Sequence, residues 1–109
     1  MIKSLSLLTA KDGMTREEFR KVWLVEHAPL VHAVPGVRKY VLSFIVSEPT
    51  TANAPIQPVR VDAIAELWYD DMEAMQRAAA SPELKTVLTN GAKYLGAIKP
   101  LVTEEVTFI

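Results

Sequence analysis

The chain has 109 residues, half of them hydrophobic and 23% charged, which is the composition of one globular domain built on a single core. Twelve Lys and Arg stand against 13 Asp and Glu, for a net charge of -1, and the basic residues are scattered, so nucleic acid is not an expected partner. There is no cysteine, which excludes disulfides and thiolate metal sites.

No apolar run approaches the length needed to cross a bilayer. The opening MIKSLSLLTAKDG develops no long h-region before Lys11 and Asp12. The expectation is therefore a cytoplasmic protein without a membrane partner, with residues 1–109 as one domain.

Ile2 to Ala10 alternates loosely and is rich in Leu and Ile, a first strand, and Lys11-Asp12-Gly13 turns the chain. Thr15 opens T-R-E-E, a capping box in which Glu18 reaches back. Phe19, Val22, Trp23, Leu30 and Val34 then recur at helical spacing. Pro29 removes a backbone donor and should bend or break that helix near residues 26 to 29, and Pro35-Gly36 ends it.

Val37 to Val46 reads as a second strand, with Tyr40 and Phe44 on one face and Val41 and Ile45 on the other. Ser47 to Arg60 holds three prolines and no periodicity, a long loop expected to cover a pocket or touch a partner subunit. Val61 to Tyr69 is a third strand, carrying Val61, Ala63, Ala65 and Leu67 on one face and Asp62, Ile64, Glu66 and Trp68 on the other.

Asp70 and Glu73 form a second possible capping box ahead of a helix through Ala80. Ser81-Pro82 starts a further helical stretch whose stripe runs from Leu84 to Leu95. Val102 to Phe108 is the expected last strand.

The order β-α-β-β-α-β is the ferredoxin-like unit of the α+β class. Its helices cover one face of an antiparallel sheet, and the small residues of the third strand suit that face. Ile64 and Trp68 are then left on the uncovered face, where a sheet-to-sheet homodimer would bury them.

The stretch F-R-K-V-W-L-V-E-H-A-P-L-V-H-A-V-P-G-V-R-K-Y-V, Phe19 to Val41, resembles the signature of the EthD family. V-D-A-I-A-E-L-W-Y-D-D and K-P-L-V-T-E-E resemble its third and last strands. Within that family the chain is most similar to methylmuconolactone methylisomerase-like proteins. It departs from them at Leu67, where they carry cysteine.

The resemblance implies a dimeric α/β barrel with a pocket between each sheet and its helices. It also implies cofactor-independent acid/base chemistry of an isomerase or lyase type, on a small apolar, cyclic, lactone-like or aromatic-derived molecule of catabolism or secondary metabolism. The alternatives are a non-catalytic binding or accessory protein for a hydrophobic metabolite and a cofactor-independent monooxygenase. Motifs for phosphate cradling, dinucleotide binding or a serine nucleophile are missing from the sequence.

His27 is the candidate acid/base residue, because imidazole titrates near neutrality and the H-A-P context matches the family's histidine. The residues alone favour a structural histidine closing a helix end beside Pro29. Tyr40, the strand tyrosine of the signature, and Trp23 are candidate substrate-binding residues, although both types are commonly core. Glu26 falls within the apolar stripe of a straight helix and leaves it only if the chain bends. His32 is expected at the surface, and two imidazoles without carboxylates at ligand spacing make no metal site.

Overall fold

A computed structural model describes residues 1–109. Strand β1 spans Ile2–Ala10, helix α1 Arg16–Val22, strand β2 Lys39–Phe44 and strand β3 Ala63–Tyr69. Helices α2, Met72–Ala79, and α3, Pro82–Ala92, lead into strand β4, Leu95–Glu104. All pairings are antiparallel and the sheet runs β2-β3-β1-β4, the ferredoxin-like order. No helix is long and apolar enough to cross a membrane.

Helix α1 starts as its sequence dictates. The Thr15 hydroxyl accepts from the Glu18 amide, and the Glu18 carboxylate accepts from the Thr15 amide. The helix then widens to a π turn over Trp23–His27 and tightens to a 3-10 turn over Ala28–Ala33. Pro29 explains the change. It lacks an amide hydrogen, and its ring would collide with the carbonyl four residues earlier in a regular helix.

The core lies between the helices and the small residues of the central strands. Leu8, Ala10, Phe19, Trp23, Ala63 and Ala65 form one buried cluster, and Val31, Val34, Tyr69, Ala74, Ala78 and Val87 form another. Alanines at 63 and 65 let the helical rings approach the sheet closely.

Four sequence expectations need correction. Strand β4 begins at Leu95 rather than near Val102, and α3 stops at Ala92 instead of running to Leu95. Gly96 and Pro100 hide that strand in the sequence. Proline is tolerated because β4 is an edge strand, with one side of its backbone free. The cap of α2 is Asp71, which accepts from the Ala74 amide, while Asp70 instead pairs with Arg38.

Asp62 does not share the outer face with Trp68. The strand starts one residue later, and the Asp62 carboxylate turns inward, 2% exposed. There it accepts from the Ala10 amide at 2.7 Å and from Arg16 at 2.9 Å, with Arg60 at 3.2 Å. Burial pushes this carboxyl up, but the amide and the two guanidiniums outweigh it and hold it below its ordinary value.

The outer face carries Lys3 opposite Trp68 and Leu7 opposite Ile64. Lys3 bridges Glu66 at 2.8 Å and Glu105 at 3.4 Å, and the Trp68 indole N–H donates to Glu105. Residues 47–60 are exposed and have no regular structure, and none of them lines the cavity described next.

Candidate functional site

Between the helices and the sheet lies a cavity of about 660 Å³, lined by 23 residues of which 17 are hydrophobic. Its floor is the helix-facing side of the sheet, with Ser4, Ser6 and Leu8 of β1, Ala65, Leu67 and Tyr69 of β3, and Tyr40 of β2. Its roof is Trp23, His27 and Val31 on one side and α3, through Val87, Leu88 and Gly91, on the other. No Lys, Arg, Asp or Glu is among the lining residues.

The π turn builds one wall of the cavity. Phe19, Trp23 and His27 follow at four-residue intervals and stack in a ladder of rings. Centroids are 4.9 Å apart between Phe19 and Trp23 and 3.7 Å apart between Trp23 and His27. His27 is 4% exposed. Gly91 of α3 sits against this ladder, where a Cβ would come within 3.0 Å of His27 Cε1 and 3.2 Å of the Trp23 ring. Only glycine lets α3 approach so closely.

His27 Nδ1 lies 2.9 Å from Asn90 Oδ1, and Nε2 makes no hydrogen bond within the chain. Asn90 Nδ2 donates to Glu26 at 3.4 Å, and the Tyr94 hydroxyl donates to the same carboxylate oxygen. Glu26 is therefore turned out of the apolar stripe, as a bend ahead of Pro29 requires. Burial pushes His27 below its ordinary value of 6.5, while the Asn90 contact and the Glu26 charge pull the other way. Burial thus favours the neutral imidazole.

Tyr40 is pushed up to about 12, chiefly by burial, and so remains a hydroxyl donor. The nearby Trp23 indole pulls slightly the other way without forming a hydrogen bond of good geometry. Trp23 Nε1 is consequently a buried donor with no partner. Orphaned donors of this kind are rare and costly inside proteins.

All three sequence candidates, Trp23, His27 and Tyr40, reach one cavity, whereas His32 is exposed on the opposite side of the segment. The serines were missed, as were Asn90 and Tyr94. Ser4 and Ser6 interrupt the face of β1 that otherwise carries Leu8 and Ala10 inward, and that polar break in an apolar period was the available signal. Asn90 and Tyr94 depend on how the end of α3 meets the π turn, which no local pattern encodes. No group of three or more His, Asp or Glu side chains is placed to hold a metal ion.

Residues 11–95 match the EthD domain family, and the chain belongs to that family. It is 36% identical over 106 residues to the 4-carboxymethyl-4-methylbutenolide mutase of Pseudomonas reinekei, covering 96% of this chain and 98% of that one. The crystal structure of an EthD family protein from Bacillus halodurans superposes with a TM-score of 0.80 at 25% identity, over 97% of this chain and 99% of that one. A dimeric ferredoxin-like protein from Thermobifida fusca superposes with a TM-score of 0.68 at 15% identity, over 94% and 88% of the two chains.

Proposed function

We propose that this EthD protein is a cofactor-independent isomerase of a butenolide or similar lactone-like ring, with His27 as its acid/base residue. The single observation that carries the reading is the wall of the cavity. A neutral, buried imidazole with a free nitrogen stands there beside an indole donor that has no partner. A base next to an oxygen-binding donor is what proton transfer beside a carbonyl needs. The near-full-length likeness to a butenolide mutase favours isomerisation over the binding-protein and oxygenase alternatives.

The chemistry balances without an added reagent. His27 Nε2 takes a proton from a carbon conjugated to the lactone carbonyl, and the C–H electron pair delocalises onto the carbonyl oxygen as a dienolate. The Trp23 N–H and the Tyr40 hydroxyl donate to that oxygen. The imidazolium then returns the proton at a different carbon, which moves the double bond. Leu67 occupies the floor and the chain has no cysteine, so no thiol shares this work. The apolar lining excludes water from the charged intermediate.

The working unit is a homodimer in this reading. The outer sheet face, with Leu7, Ile64 and Trp68, would pack on its copy, and the dimeric state of a protein of the same fold favours a dimer. A cytoplasmic location fits the absence of cysteine.

The test is conversion of a methyl-substituted butenolide, followed by proton NMR. Wild type should interconvert double-bond isomers. His27→Ala should lose about 10²–10⁴-fold in kcat/KM with its fold and oligomeric state intact. Trp23→Phe keeps the ring but removes the donor, and should lose about 10²–10³-fold. Turnover by His27→Ala at the wild-type rate overturns the proposal.

A further inference from the structure

We propose that Asn90, itself oriented by Glu26 and Tyr94, is a positioning residue that holds His27 as its Nδ1–H tautomer and so presents the Nε2 lone pair to the cavity. The inference rests on the reading of His27 as the acid/base residue and adds to it the reason the ring is set as a base.

The Glu26 carboxylate is exposed and accepts from the Tyr94 hydroxyl, which favours its ionised form. An ionised carboxylate can only accept hydrogen bonds. The Asn90 group facing it at 3.4 Å must therefore be the amide NH2, which fixes the other end of that side chain as a carbonyl oxygen. That oxygen lies 2.9 Å from His27 Nδ1 and has no hydrogen to give. Nδ1 must carry the proton, and in a neutral ring Nε2 is then the acceptor.

A flipped Asn90 would set its carbonyl against the carboxylate and its NH2 against Nδ1. The proton would then sit on Nε2, leaving the cavity-facing nitrogen unable to act as a base. The Tyr94–Glu26–Asn90 chain selects against that state. It also helps the reaction after proton uptake, because the imidazolium then donates to the Asn90 oxygen with the Glu26 charge behind it.

Other groups around the ring do not compete for Nδ1. Tyr40 and Tyr69 reach the cavity from the sheet, with hydroxyls that burial keeps protonated, and Lys93 interacts with Glu26 at the surface. The remaining neighbour from α3 is Gly91, which presents only backbone.

The experiment is long-range proton–nitrogen correlation NMR on protein labelled with ¹⁵N-histidine, which distinguishes the two neutral tautomers and follows His27 through a pH titration. Wild type should show Nδ1–H. Asn90→Ala should populate Nε2–H. Glu26→Gln, an exposed change that spares packing, should do the same by freeing the amide to flip, and should lower the His27 pKa.

Nε2–H in the wild type, or wild-type tautomer and pKa in both variants, overturns the assignment. A change in Asn90→Ala alone removes Glu26 and Tyr94 from it. These readouts need no substrate. If His27→Ala keeps full turnover while the tautomer behaves as expected, it is the isomerase reading that fails, and this one stands.

Discussion

Two hollows of the molecule lie on either side of the segment from Trp23 to Ala33 and differ in kind. The groove beside edge strand β2 is the larger, about 740 Å³ against about 660 Å³. It is rimmed by Arg20, His32, Arg38 and Lys39, and its histidine is exposed. The cavity toward β4 has no charged lining residue, and its histidine is buried and hydrogen-bonded. Size therefore does not tell the two apart in kind. What separates two histidines on one short segment is removal of water.

The comparison can be broken first through stability. Phe19 supports the ring ladder at 1% exposure, and Phe19→Ala should cost about 3–5 kcal/mol in denaturant unfolding. Leu24 lines the groove at 44% exposure, and Leu24→Ala should cost less than about 1 kcal/mol. Similar losses at the two positions would mean the cavity side is not the organised one.

Charges give the second contrast. Asp62 is enclosed while Asp70, paired with groove residue Arg38, is half exposed. Asp62→Asn should cost about 1.5–3 kcal/mol, since it weakens charge-assisted hydrogen bonds to a buried group. Asp70→Asn should leave unfolding unchanged within error. The folded-state pKa of Asp62 is depressed, so its stabilisation is present above the ordinary value of 3.8 and is lost as pH falls below it. Acid unfolding of wild type and Asp62→Asn should converge in that range.

Gly91→Ala tests the closeness of α3 to the ladder. The added methyl must displace His27 or Trp23, at about 1–3 kcal/mol, with weakened ligand binding measured by calorimetry. The smallest effect is the pH slope contributed by His27. Its folded pKa lies below 6.5, so the unfolded chain takes up that proton more readily. This contribution to stability is complete above pH 6.5 and declines as pH falls through the folded value. His27→Gln should flatten that slope in a thermal-unfolding series.

Much of the fold was legible because local chemistry and period agree. The Thr15–Glu18 box, the Ile2–Ala10 strand and the helix disturbance at Pro29 are short-range signals. Strand β4 was misplaced because its support is long-range. Pairing with β1 from Leu95 to Glu104 overrides Gly96 and Pro100, whereas Val106 and Phe108, which alternate well, have no strand to pair with. At the site, His27, Trp23 and Tyr40 were readable from the signature around them. Asn90, Glu26 and Tyr94 were not, because their meeting depends on a π turn and on a helix 63 or more residues away.

The central claim is that His27 exchanges a proton with a ligand in the apolar cavity. The direct measurement is deuterium incorporation into a methyl-substituted butenolide in D2O, followed by NMR for wild type, His27→Ala and His32→Ala. The account predicts enzyme-dependent exchange at an acidic ring-conjugated C–H. His27→Ala should slow it about 10²–10⁴-fold, and His32→Ala should match wild type. Exchange by His27→Ala at the wild-type rate would contradict it.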